Sequence, residues 1–131
     1  MLFRVQKTYV ATAVGTSSLI DLSQERRLVG ADDLLCVEVL SCKVKRSSGA
    51  AAATFQPCIS VSAGASAVLD VDHLLLAAAQ AVGTPFGDAI PNRVFGAPPG
   101  GLLYFYAFPN VGGDTFWYEL ILDLQPLRTA T

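Results

Sequence analysis

Two runs near the C-terminus constrain this fold more than any other part of the chain. The first is Leu102-Leu103-Tyr104-Phe105-Tyr106-Ala107-Phe108. The second is Thr115-Phe116-Trp117-Tyr118-Glu119-Leu120-Ile121-Leu122-Asp123-Leu124, and Pro109 to Asp114 lies between them. Aromatic and aliphatic runs on either side of a Pro/Asn/Gly/Asp cluster predict a β-hairpin closed by a loop of more than two residues. Strand side chains alternate, so Phe116, Tyr118, Leu120, Leu122 and Leu124 share one face. Thr115, Trp117, Glu119, Ile121 and Asp123 share the other, which is mixed. The first run is apolar on both faces and requires cover on both.

The need for cover meets a composition poor in charge. Of the 131 residues 52% are hydrophobic and 15% are charged, against about 25% charged in an average domain. Either the surface is bland, or another chain covers part of it; the second reading is favoured here. The length predicts a single β-rich domain over residues 1–131, large enough to bury a core without staples. The net charge of −2 offers no basic excess to neutralise phosphates, so nucleic-acid binding is not expected. Arg4 and Lys7 interrupt the N-terminal apolar residues, so no signal peptide is expected. The longest charge-free run, Ser47 to Leu69, holds five Ser and two Gly with Pro57 and is a poor membrane span. A cytoplasmic site of synthesis follows from that reading.

Along the chain, Phe3 to Val14 alternates with Phe3, Val5, Tyr9, Ala11 and Ala13 on one face and predicts a half-buried strand. Gly15 to Ser18 predicts a turn, Leu19 to Leu22 a short strand, and Ser23 to Arg27 an exposed connection. Leu34 to Lys45 predicts a second long strand, apolar on both faces at its start and alternating at its end. Arg46 to Gly49 and the four alanines after it read as a loop. Phe55 to Ser62 alternates, and Pro57 makes it an edge strand or sets its start just past Pro57. Val71, Leu74, Leu75, Ala78, Ala79 and Val82 fall at the spacing of one helical face and predict a helix over 71–82. Asp70 or Asp72 would cap it, Gly83 would end it and Pro85 follows. Thr84 to Gly101 holds four Pro and four Gly in eighteen residues. It reads as a long loop presenting Asn92, Arg93, Val94 and Phe95.

Chemistry has few candidates. His73 is the one histidine; on a helix it would share a face with Asp70 but not Asp72, too few ligands for a metal. The cysteines are Cys36, Cys42 and Cys58. On one strand Cys36 and Cys42 lie about 20 Å apart, too far to bridge, so a disulfide would need Cys58 with either of them. The plainer reading is three free thiols acting as small hydrophobes. Glu119 and Asp123 share a strand face about 13 Å apart, beyond the separation of glycosidase carboxylates. No Gly-x-Ser-x-Gly is present, and Ala97 to Gly101 precedes a strand and lacks the lysine of a phosphate-binding loop. Lys43, Lys45 and Arg46 read as a solvated strand end. No catalytic residue, metal ligand or cofactor is assigned, and the chain is not read as an enzyme.

The expected fold is mainly β, a sandwich or jelly-roll-like arrangement with one short helix. The alternative is an α+β sheet with the helix on one face. In general layout, through Leu102–Leu127 and the Ala/Gly/Ser-rich middle, the chain resembles small β-rich virion proteins of bacteriophages, of the capsid or head-decoration type. That resemblance implies a structural subunit located in the virion. Its partners would be copies of itself and other shell proteins, without membrane or small-molecule ligand. Tyr104, Tyr106, Trp117, Ile121 and Phe95 are the candidate subunit contacts, because aromatic and aliphatic anchors dominate interfaces. The rival reading is a ligand-binding module of the carbohydrate-binding kind, using Trp117, Tyr118 and the loop Thr84–Gly101.

Overall fold

The structure, a computed structural model, describes residues 1–30, 35–61, 63, 73–74, 80–81, 86–88, 93–95 and 101–126. The fold is mainly β, as expected. Among the described residues there are eleven strands and one short helix. The first sheet runs β1 (Leu2–Val10), β11 (Thr115–Pro126), β3 (Leu35–Ser48) and β8 (Phe86–Asp88), with β9 (Arg93–Phe95) also paired to β3. The second runs β2 (Ser18–Asp21), β10 (Leu102–Tyr106), β5 (Cys58–Ser60) and β6 (His73–Leu74). A small ladder joins β4 (Thr54–Phe55) to β7 (Gln80–Ala81). Every pairing is antiparallel.

Strand β11 organises the first sheet because both its edges are taken, by β1 along Leu2–Val10 and by β3 along Leu35–Ser48. Its alternation is kept without a break: Phe116, Tyr118, Leu120, Leu122 and Leu124 are fully buried and the residues between them half-buried. Their cover is the second sheet of the same chain, since Ile20, Ile59, Leu103 and Phe105 belong to the same core cluster. The apolar face of β11 therefore needs no neighbouring molecule, which corrects the expectation that another chain roofs it.

The predicted hairpin is also corrected. Strands β10 and β11 lie in different sheets and meet face to face, with the rings of Phe105 and Tyr118 stacked at 3.9 Å and 19°. Tyr9 stands edge-on to both, at 6.2 Å and 6.1 Å. Alternation reports which face a side chain takes and is silent on which strand lies alongside. The other face of β10 is covered by a second cluster, in which Tyr106 stacks on Phe108 at 4.9 Å and packs with Cys58.

The buried residues of β3 switch from odd to even positions for a definite reason. Its register against β11 shifts between Ile121 and Leu122, where Ser41 and Val39 are the partners and Leu40 is skipped. The extra residue reverses the alternation. Leu35, Val37 and Val39 are buried before the bulge, and Cys42 and Val44 after it.

The short helix is α1 (Ser23–Leu28), where an irregular connection was expected. Of the helix expected over 71–82, His73–Leu74 and Gln80–Ala81 are instead strand residues, paired with Ile59–Cys58 and Phe55–Thr54; the rest of that stretch, Asp70 included, lies outside the described residues. Likewise the long loop over 84–101 contributes β8 and β9 to the first sheet. Strand β5 begins just past Pro57, as the sequence requires.

The connection from β10 to β11 crosses between the sheets and is held by two side chains. Asp114, 1% exposed, accepts hydrogen bonds from the amides of Ala51 at 2.9 Å and Ala52 at 2.8 Å, and from Arg46 Nη1 at 3.3 Å. Asn110 Oδ1 accepts from the next two amides, Ala53 at 2.7 Å and Thr54 at 3.1 Å. Four successive donors, three in the alanine loop and one at Thr54 where β4 begins, are thus satisfied from one neighbouring loop. Gly49 is required beside them: its φ is +100°, and a Cβ there would overlap the Asp114 carboxylate. The amides of Ala51 and Ala52, followed by Arg46, hold the Asp114 carboxyl below its ordinary value. A depressed carboxyl stabilises the fold above the unfolded value of about 3.9 and loses that contribution as pH falls through its folded value. Asp114→Ala is expected to cost about 1–3 kcal/mol in urea unfolding, because it strands the buried amide of Ala52 and weakens the partly buried site at Ala51 and Arg46. Asp114→Asn is expected to flatten the dependence of stability on pH below about 4, measured by the same titration against wild type.

Candidate functional site

The outward face of the first sheet is built by the even-numbered residues of β1, the odd-numbered residues of β11 and the facing residues of β3. Glu119 sits in its centre, opposite Gln6 on one side and Lys43 on the other. Its carboxylate lies 3.8 Å from Arg4 Nε and 3.9 Å from Lys43 Nζ. One register step away Lys45 Nζ stands 5.3 Å from the centre of the Trp117 ring. The face thus carries alternating charge, satisfied within the chain.

The structure distributes the expected contact residues unevenly. Trp117 and Ile121 are half-buried on this outward face, Trp117 between Thr8 and Lys45 and Ile121 between Arg4 and Ser41. Tyr104 is half-buried on β10 and packs against the Cys58 cluster. Tyr106 is a correction: it is fully buried against Phe108 and Cys58 and offers no surface to a partner. The backbone of Phe95 pairs with Val37 in β9, which places it in the sheet instead of a presenting loop; its side chain lies outside the described residues. Tyr118 is fully buried, bonded to Ser18 Oγ at 2.8 Å. Trp117 and Tyr118 therefore take opposite faces and cannot form one sugar-stacking surface.

What alternation alone misses is the edge of the sheet. Strand β1 pairs with β11 on one side; among the described residues no strand pairs with its other side. Its register runs through nine residues without a shift. Leu2, Arg4, Gln6, Lys7, Thr8 and Val10 are all exposed. Below that edge lies an open groove of about 250 Å³, lined by Phe3 to Lys7 and, from β2, by Ile20 and Asp21. Lys7 Nζ crosses it to donate to Leu19 O at 2.6 Å. Hydrogen bonds from the Ser23 hydroxyl and amide hold the Asp21 carboxyl below its ordinary value, with Lys7 adding to the effect.

The remaining candidates for chemistry are placed by burial. All three cysteines are free, with Cys42 and Cys58 buried. Burial pushes both thiols up to about 12, with Cys58 adding to the effect on Cys42. Neither forms a thiolate nucleophile near neutrality. The Tyr118 phenol is likewise pushed up to about 12 by burial, and Tyr9, which accepts a bond from Ala107 N at 2.8 Å, is raised for the same cause. The side chain of His73 lies outside the described residues. Among the described residues no three His, Cys, Asp or Glu side chains gather as a metal-holding group, and no helix is long and apolar enough to cross a membrane. No protein-family model, curated protein or solved structure matches the chain.

Two outcomes follow from this geometry. Glu119→Gln is expected to cost no more than about 1 kcal/mol in chemical denaturation, because it removes two long ion pairs at a solvated face. Groups whose folded value is raised stabilise the fold fully below their unfolded value and lose that contribution as pH climbs to the folded one. The buried thiols, with an unfolded value of about 8.5, are expected to make stability fall steadily between about pH 8.5 and 12. A Cys42→Ala/Cys58→Ala variant is expected to show a shallower fall, followed by thermal unfolding across that range.

Proposed function

We propose that this chain is a structural subunit that acts by assembling with copies of itself, in a bacteriophage shell of the capsid or capsid-decoration type and together with other shell proteins. The observation that carries the reading is the open side of the molecule around β1. Among the described residues no strand pairs with its outer side, and a long, regular edge of that kind is a template for another chain unless charge, proline, a bulge or a covering element blunts it. In β1 the register has no bulge and the sequence no proline, and its two cations are turned to the same chain, Arg4 to Glu119 and Lys7 to Leu19 O. Apolar side chains lie exposed on and beside this edge: Leu2 at 69% and Val10 at 51% on β1, and Leu19 at 44% on β2. The sparse charge of the sequence supports the same reading, since a shell subunit gives up part of its surface to neighbours.

The phage setting draws on the resemblance in layout, while assembly draws on the edge itself. Light scattering on the purified chain at high micromolar concentration is expected to give the mass of a dimer or a larger assembly. A monomer across the whole concentration range would overturn the reading.

A further inference from the structure

We propose that the partner at this edge is β1 of a second copy, paired antiparallel about a two-fold axis that passes beside Gln6; the proposal rests on the assembly reading and names its contact.

Backbone parity supplies the first argument. Met1 N donates to Leu124 O at 2.8 Å and Leu124 N to Met1 O at 2.8 Å, so these residues form a bonded pair. In the same register Ala11 N donates to Asp114 O at 2.9 Å. Bonded pairs recur at every second residue of an antiparallel ladder. Phe3, Val5, Lys7 and Tyr9 therefore turn their amides and carbonyls toward β11. Leu2, Arg4, Gln6, Thr8 and Val10 turn theirs away, to the open side. A second β1 can bond to that edge only with outward residue against outward residue, which forbids a slip of one position.

Side-chain complementarity selects among the registers that remain. Full overlap places Gln6 opposite Gln6 of the second copy, Arg4 opposite Thr8, and Leu2 opposite Val10. The two exposed aliphatic residues of the strand cover each other at both ends, at 69% and 51% exposure in the free chain. On the other face Phe3 meets Tyr9 and Val5 meets the stem of Lys7. No like charges stand opposite. A slip of two positions one way sets Lys7 directly against Lys7, which is unfavourable. A slip of two the other way sets Leu2 against Thr8 and so takes the exposed aliphatic pair of Leu2 and Val10 apart. The contact is isologous, so each residue pair other than Gln6 with Gln6 occurs twice and the assembly closes. A continuous sheet through both copies extends the ladder by about ten hydrogen bonds.

The test uses the whole chain and light scattering with circular dichroism. Gln6→Pro removes an outward amide at the axis and, on β11, the exposed 3.5 Å bond from Gln6 Nε2 to Glu119 Oε2 but no backbone bond, so the fold is expected to persist. Its association is expected to weaken at least tenfold. Leu2→Lys with Val10→Lys sets cation against cation at both ends and is expected to dissociate the pair. Leu2→Glu with Val10→Lys sets opposite charges in the same places and is expected to associate at least tenfold more tightly than the double lysine variant. The lysine and glutamate variants decide the matter if Gln6→Pro fails to fold. A wild type that stays assembled while folded variants keep its mass would overturn the β1 contact and leave the assembly reading standing. A monomeric wild type would overturn both.

Discussion

The stack of Phe105 on Tyr118 is the contact on which the rest of the architecture turns. It joins the middle of one sheet to the middle of the other, at 3.9 Å between ring centres. Offset aromatic pairs contribute about 0.5–1.5 kcal/mol beyond the area they bury, and here Tyr9 adds two edge-on contacts to the same pair. The polar ends of these rings are satisfied where they stand, Tyr118 by Ser18 and Tyr9 by the amide of Ala107. A buried phenol without such a partner would oppose the packing that its ring favours. Because β10 and β11 meet through their faces, their edges stay open to other strands. Both sheets can then be built around adjacent segments of the chain.

Separating β10 from β11 requires a connection that crosses the gap, and a crossing loop cannot use ladder hydrogen bonds of its own. The sequence meets that requirement with Asn110 and Asp114, four residues apart, which take two amides each from the alanine loop. The backbone of the crossing does the rest: Gln56 N donates to Ala107 O at 2.8 Å and Gly113 N to Ala11 O at 2.7 Å. Phe108 adopts a left-handed conformation, φ 45°, at the corner where the chain leaves β10. A side chain in that region is disfavoured, and the stacking of its ring on Tyr106 holds it there. The polar cluster between the two apolar runs is therefore a latch between three parts of the chain and not a turn.

That distinction explains which parts of the structure were legible in the sequence. The alternation of β11, from Phe116 to Leu124, was readable residue by residue because one face is buried throughout. The start of β5 was readable because Pro57 has no amide to give to a ladder. Strand β3 was readable as a strand but not in its faces, since the bulge at Leu40 leaves no mark in composition. The hairpin was misread because a Pro/Asn/Gly/Asp cluster satisfies backbone equally well in a turn or in a crossing. At 71–82 the helical spacing of apolar residues gave way at His73–Leu74 and Gln80–Ala81 to pairing with β5 and β4. Short strands fixed by distant partners carry too few residues for a period to show. Of the contact residues, Trp117 and Ile121 were correctly placed on the mixed face of β11, while Tyr106 was not separable from Tyr104 in a run that is apolar throughout.

The edge of the first sheet was invisible for a deeper reason. Whether a strand is central or terminal depends on the order of strands, and hydrophobic periodicity carries no information on order. Once the order is known, the residues of β1 take on a different meaning. Within the single chain Val10 and Leu2 are exposed apolar residues on the otherwise polar side of the strand. Beside an open ladder the two become the ends of a surface that matches its own reverse, with Gln6 at the centre and the charge of Arg4 set against a hydroxyl. On the outward face next to it Arg4 and Lys43 both pair with Glu119, and Lys45 caps the ring of Trp117. A face whose charges are paired internally gains little from a partner. An edge whose amides and carbonyls have no strand beside them among the described residues would exchange water for a ladder, and under the proposal that difference would direct association to β1.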